Sequence, residues 1–214
     1  MKEKLIIIGA GGHGKVVADI AKQMNKWKII CFLDDNELLK ECLGFEIIGK
    51  TSRVNEYIKD FDIFIAIGDN DAREKIQKRL ESRNASIPLI IHPHAVLGSE
   101  VKIGYGSVIM AGVVINSSTK IGKGCIINTS SSIDHDNNIE DYVHISPGVH
   151  LAGNVKIGRQ SWLGVGSIVI NNIFICKQCK LGAGAVVVKN IVHPGTYVGI
   201  PARRRNNEEN INTM

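Results

Sequence analysis

From Ile91 to Val192 an aliphatic residue recurs at every sixth position without a slip of register: Ile91, Leu97, Ile103, Ile109, Ile115, Ile121, Ile127, Ile133, Ile139, Ile145, Leu151, Ile157, Leu163, Val169, Ile175, Leu181 and Val187. Four places behind each stands a second ladder of small or compact residues, among them Ser107, Val113, Thr119, Cys125, Ser131, Val143, Val155, Ser161, Ser167 and Ala185. Asn137 and the bulkier Ile173 and Ile191 are the departures from it. A period of six fits neither the 3.6 spacing of a helix nor the alternation of an ordinary strand, so it marks a repeat architecture of short strands and sharp turns. If the first and fifth places point inward, three hexads per coil make a triangular prism. Each residue n then lies above n−18 at the inter-strand spacing of about 4.8 Å. Glycine at the second place (Gly98, Gly104, Gly122, Gly158, Gly164, Gly182) predicts that the corner falls there.

The first ninety residues have a different texture. Leu5–Ile8 reads as a buried strand, followed by Gly9-Ala10-Gly11-Gly12-His13-Gly14 and a helix from about Lys15 to Asn25. A second strand, Lys28–Leu33, ends at Asp34 and Asp35. A glycine loop after a strand, with an acidic pair about twenty residues on, is the pattern that holds a dinucleotide pyrophosphate and ribose. The elements that follow (Phe45–Ile48, Thr51–Ile58, Asp62–Ile67, a helix over Asp69–Arg83, and Leu89–Ile91) complete only a small α/β unit, and His13 is bulky for a loop that hugs a pyrophosphate. Both features turn the reading from NAD to a nucleotide-linked ligand, because backbone N–H groups and a helix N-terminus still attract phosphate. Gly68, Asp69, Asn70 and Arg73 follow a later strand and should face the same crevice, with Asp69 or Asn70 as helix cap, ligand contact or both.

The division expected is a Rossmann-like domain over 1–90, a parallel β-helix over 91–205 and a polar, disordered tail over 206–214. Composition narrows the function classes. The net charge of +5 is not gathered into a stripe with interleaved aromatics, which argues against nucleic acid and suits a phosphorylated small molecule. No apolar run approaches a membrane span and no signal peptide is legible, so a soluble cytoplasmic protein is expected. Five cysteines fit that compartment. The Cys176/Cys179 pair reads as packing, with Cys179 at an inward place in the column of Cys125.

His135 is the candidate for chemistry. It lies in Ile133-Asp134-His135-Asp136-Asn137, a hexad with a carboxylate on each side of the imidazole and a polar residue at the inward place. Third place puts it outside, with Ser117 one coil before and Gly153 one coil after. A glycine there leaves room for the ring and exposes an N–H that can hold an oxyanion. A neighbouring carboxylate would orient the ring and raise its basicity, and either Asp136 or Asp134 can do so. A metal site from His135, His144 and His150 is the competing reading, but these project from different faces of one prism, and no metal is expected.

Taken together, IIIGAGGHGK, FLDD, IAIGDN, INTSSSIDHD, DYVHISPGVHLAGNVKIG and PGTYVGIPAR resemble the hexapeptide-repeat acetyltransferases of nucleotide-linked amino sugars, of the UDP-bacillosamine and GDP-perosamine type, with sialic acid O-acetyltransferases as more distant relatives. The resemblance spans residues 4 to about 204. It implies a left-handed β-helix, a homotrimer with sites between subunits, acetyl-CoA as co-substrate and a UDP- or GDP-linked amino sugar as acceptor. It further implies that Gly11, Gly12, His13, Asp34, Asp35 and Gly68 bind the nucleotide-sugar, with Asn128 and Thr129 reaching in from a neighbouring subunit. His135 would be the general base and Asp136 its partner, although relatives more often resemble His-Glu there. His144, Gly153, Val165 and Ala183 would contact acetyl-CoA, while Arg203, Arg204 and Arg205 would meet its phosphates or form a solvated tail. Two other functions remain open: sugar O-acetylation, as on a sialic acid, and a non-catalytic nucleotide-binding trimeric scaffold.

Overall fold

In the computed structural model residues 2–205 are described; the polar segment 206–214 lies outside them. The N-terminal unit is a three-stranded parallel sheet in the order Ile29–Leu33, Lys4–Ile8, Asp62–Ile65. Alternate residues of these strands face opposite sides, and both sides are covered. Leu5, Ile7, Phe32 and Phe64 pack with Val17, Ala18 and Ala21 of helix α1 (Gly12–Met24). Ile6, Ile8, Leu33, Ile63 and Ile65 pack with Val54 of a 3-10 helix (Thr51–Glu56) and Leu80 of helix α2 (Asn70–Glu81). The α1 side of this core runs without a break into the aliphatic interior that follows.

From Ile90 to Val187 each coil carries three short strands paired in parallel with the strand eighteen residues away, as Lys120 with Asn138, Ile126 with His144 and Ser132 with His150 show. The three ladders form sheets of 6, 5 and 8 strands, the last joined by the C-terminal strands Gly195–Val198 and Arg203–Arg204. This is the parallel β-helix that the hexads predict, left-handed as the family resemblance implies. Every fifth-place residue from Ser107 to Ile191 is buried, as are the first-place residues from Ile109 to Val187. Leu97 is exposed, since its ladder ends there and no coil lies beyond it.

The corner lies elsewhere than the second-place glycines predict. The left-handed residue is the fourth of each hexad from Leu97 to Leu181, as at Ser118, Ser130, Asp136, Asn154, Gln160 and Gln178. Second-place glycines serve close approach instead: a Cβ on Gly104 would sit 2.5 Å from the Lys123 nitrogen, and one on Gly158 2.4 Å from that of Lys177. Cys125 and Cys179 are both fully buried, and Cys176 is half-buried beside Cys179. We name the outer faces by the side chains they carry. The docking face bears His144 and Trp162, the serine–histidine face Ser132 and His150, and the lysine face Lys102, Lys120 and Lys156.

Candidate active site

The glycine loop closes the first strand onto α1. Gly9 has φ of +99°, and a Cβ on Gly14 would lie 1.9 Å from the Gly9 carbonyl oxygen, so both positions require glycine. Gly11 and Gly12 meet nothing, and no side chain caps α1, which leaves its first-turn N–H groups open to an anion. The helix begins at Gly12 rather than near Lys15, so His13 sits in its first turn and not in a loop. The acidic pair stands at the neighbouring strand end and is engaged within the chain. Asp34 accepts from the Ala10 N–H at 2.7 Å and the Asn36 N–H at 2.8 Å, and Asp35 accepts from the Thr51 N–H and hydroxyl, each at 2.9 Å.

Helix α2 joins the two domains. Asp69 caps it by accepting from the Ala72 N–H, while Asn70 donates to the carbonyls of Gln160 and Ser161 on the β-helix. Arg73, 1 % exposed, donates to Gly124 O at 2.7 Å, Ile67 O at 2.8 Å, Gly68 O at 3.0 Å, Tyr142 O at 3.2 Å and Asn70 Oδ1 at 2.7 Å. It is a buried cation satisfied by carbonyl dipoles, and burial lowers its pKa to about 10. Burial and the Arg73 charge hold His13 down to about 4, and burial, Arg73 and His13 hold His144 down to about 3. Both imidazoles are therefore neutral near pH 7, and the Nε2 of each is buried without a hydrogen-bond partner. His144 stacks on Trp162 at 5.6 Å with the rings 6° from parallel, and the Trp162 indole donates to Ser146 Oγ at 2.8 Å. Gly68, Asn70, His144, Gln160, Trp162 and Lys180 line a cavity of about 560 Å³ between the domains.

His135 occupies the corner between the serine–histidine and lysine faces. Asp136, at φ +58°, turns its carboxylate back so that Oδ2 lies 2.8 Å from His135 Nδ1. Asp134 points away from the ring, accepting from the His135 N–H and from Asn116 Nδ2, each at 2.9 Å. Asp136 is thus the carboxylate on the imidazole, and its hydrogen bond, aided by both aspartate charges, raises the His135 pKa above the ordinary value. With Nδ1–H donated to Asp136, Nε2 carries the free lone pair. The ring lies over Gly153, where a Cβ would come within 2.6 Å of Cε1 and 2.7 Å of Nε2. Among the described residues the Gly153 N–H has no acceptor. Both side chains are open to solvent, 59 % and 62 % exposed for His135 and Asp136.

Within one chain the candidate residues fall into separate groups. His13, Gly68 and His144 share the domain junction. Thr129, Val165 and Ala183 form one column at the corner between the docking and serine–histidine faces, with Asn128 beside it, and His135 and Gly153 stand at the next corner. The sequence reading found Arg73 only as a crevice residue and missed Trp162, although the eighteen-residue spacing places Trp162 directly on His144. The three histidines of the metal reading lie apart, and among the described residues no cluster of three or more His, Cys, Asp or Glu could hold a metal ion. No described helix is long and apolar enough to cross a membrane.

Residues 4–80 match the PglD N-terminal domain family. A UDP-N-acetylbacillosamine N-acetyltransferase of Bacillus subtilis (strain 168) is 36% identical over 112 residues, covering 51% of this chain and 52% of the relative. The acetyltransferase domain of PglB from Neisseria gonorrhoeae FA1090, solved with acetyl coenzyme A, superposes with a TM-score of 0.93 at 38% identity over 96% of this chain and 100% of that one. PerB from Caulobacter crescentus, solved with CoA and GDP-perosamine, gives a TM-score of 0.89 at 33% identity over 95% and 97% of the two chains. With both domains, their order and the repeat shared end to end with these enzymes, the chain belongs to the hexapeptide-repeat sugar acetyltransferase family and is an acetyltransferase.

Proposed function

We propose that the enzyme moves an acetyl group from acetyl-CoA to the amino group of a UDP- or GDP-linked amino-deoxy sugar, by direct transfer with His135 as general base, at sites shared between the subunits of a homotrimer. The observation that carries this reading is the His135 corner: an imidazole with Nδ1 on a carboxylate, Nε2 free, and an unengaged backbone N–H one coil away. The amine must be neutral to attack. Its nitrogen bonds to the thioester carbon, and Nε2 takes the surplus proton as the tetrahedral intermediate forms. The Gly153 N–H meets the oxyanion. Collapse breaks the C–S bond, and the imidazolium returns its proton to the departing thiolate. No side-chain nucleophile is used.

The separation of the candidate residues within one chain supports a site shared between subunits. The open N-terminus of α1, His13 and the Gly68 cavity would take the nucleotide and sugar, whereas His135 stands on another corner of the same prism. A second copy brings the groups together, with Asn128 and Thr129 reaching the sugar and His144, Val165 and Ala183 the acetyl-CoA. The named ligands of PglB and PerB support the pair of substrates. The linkage formed distinguishes amine from alcohol acceptors: an amide product survives mild alkali, and loss of the acetyl group there would turn the reading to O-acetylation.

Asp136 supplies a further prediction. As a base His135 must be unprotonated, and its raised pKa places the acid limb of kcat/KM above the ordinary imidazole value of about 6.5. Asp136→Asn removes the main cause of that shift while keeping a residue that tolerates positive φ. The limb should therefore move to lower pH. A limb that stays in place or moves upward contradicts the pairing.

A further inference from the structure

The inward place of the His135 hexad holds Asn137, which is 1 % exposed and fully hydrogen-bonded. Three inward hydroxyls of the prism, on Ser107, Thr119 and Ser161, make a regular pair of bonds to the next coil, whereas Ser131 donates to Asn128 O in its own coil and the Ser167 hydroxyl has no partner among the described residues. Ser107 donates to Gly122 O and accepts from the Cys125 N–H, and Ser161 donates to Cys176 O and accepts from the Cys179 N–H. Asn137 reproduces that pair, donating Nδ2 to Ala152 O at 3.1 Å and accepting the Val155 N–H on Oδ1 at 2.8 Å. Its amide does something more, because Nδ2 also donates to Asp134 O at 2.6 Å and approaches His135 O at 3.4 Å. From the coil before, Thr119 donates to the same Asp134 carbonyl at 2.8 Å and accepts from the Asn137 N–H at 3.3 Å.

We infer that Asn137 is a positioning residue, which locks the His135 corner to the Gly153 corner so that Nε2 and the free N–H keep one spacing. The two corner carbonyls bracket His135, and the two inter-coil bonds land on Ala152 and Val155, which flank Gly153. One buried amide therefore ties together both loops that the reaction uses, while His135 itself is free in solvent. A burial place that elsewhere takes valine, serine or cysteine takes asparagine here because only a side chain with two donors and an acceptor serves both coils. The inference rests on the reading of His135 as the base.

Asn137→Ser separates positioning from ladder stability, since a serine that takes up the regular inter-coil pair, as Ser107 and Ser161 do, commits its single proton there and has none for Asp134 O or His135 O. The expected result is a melting temperature close to that of the parent enzyme, unchanged KM for both substrates, and kcat lower by about tenfold to a hundredfold. The His135 ring signals and their titration, followed by NMR in the free protein, should shift. Asn137→Val, which loses both sets of bonds, should lose thermal stability as well as kcat. Parent-like kcat in Asn137→Ser overturns the inference, as does a fall in kcat with unmoved His135 signals. The His135→Ala variant tests the base separately: if it stays active while Asn137→Ser moves the His135 signals, the base reading fails and the anchoring of the ring stands.

Discussion

His135→Ala should lower kcat by about a thousandfold, the middle of the range that a positioned general base contributes. KM for either substrate should change little, because the imidazole acts on a proton that moves only as the C–N bond forms. The protein should fold as before. The side chain is 59 % exposed, and its hydrogen bonds are to Asp136, an exposed neighbour, and through backbone that alanine retains. Initial rates of CoA release at saturating substrates, with circular dichroism as control, make the measurement. Retention of more than about a tenth of the turnover would remove His135 from the role of base, since no acid–base effect of the expected size could then reside there. Added imidazole should restore part of the lost rate, as Gly153 leaves space beside the vacated position.

Arg73→Met should destabilise the protein by about 3–5 kcal/mol, because several buried carbonyls each lose a donor at a cost of roughly 1–3 kcal/mol, partly offset by no longer burying the cation. Methionine fills much of the volume but donates nothing, so the carbonyls of Gly124, Tyr142, Ile67 and Gly68 lose a charged donor away from water. For a chain of this size the melting temperature should fall by roughly 10 °C. The loss should be felt first at the junction, because two of the four carbonyls belong to the β-helix and two to the α/β domain. Limited proteolysis should then cut between the domains before it cuts the coils. Arg73→Lys should be nearly as damaging, since a single ammonium cannot span acceptors that a planar five-donor fork reaches together. A melting temperature within about 2 °C of the parent protein for Arg73→Met would show that the aliphatic contact between domains, not the guanidinium, holds them.

The β-helix was legible because its rule is local and repeated: one aliphatic residue in six, with a compact partner four places on, suffices to predict which side chains are buried. Counting by eighteen likewise places Gly153 against His135 from the sequence alone. The corner was misplaced because glycine has two uses that look alike in a sequence. Gly104 and Gly158 are small so that the next coil can approach, whereas the positive φ falls at the fourth place, held by glycine at Gly112, Gly148 and Gly166 but by Asp136, Gln160 and similar residues in other hexads. The choice between Asp134 and Asp136 was equally closed to sequence, since it depends on Asn116 drawing Asp134 away from the ring. Arg73 was visible but not its job, because its acceptors are carbonyls up to sixty-nine residues away, and a carbonyl is supplied by any residue. The depression of the His13 and His144 pKa values follows from that same distant packing.

The most direct test of the whole account is a coupled measurement of thiol release and product mass, with the purified enzyme, acetyl-CoA and a panel of GDP- and UDP-linked amino sugars. The account predicts saturable release of CoA with at least one of them, in equal amount with an acetylated sugar whose new linkage withstands mild alkali, and no release from acetyl-CoA alone. Absence of thiol release across the panel, or an acetyl group that alkali removes, would contradict it.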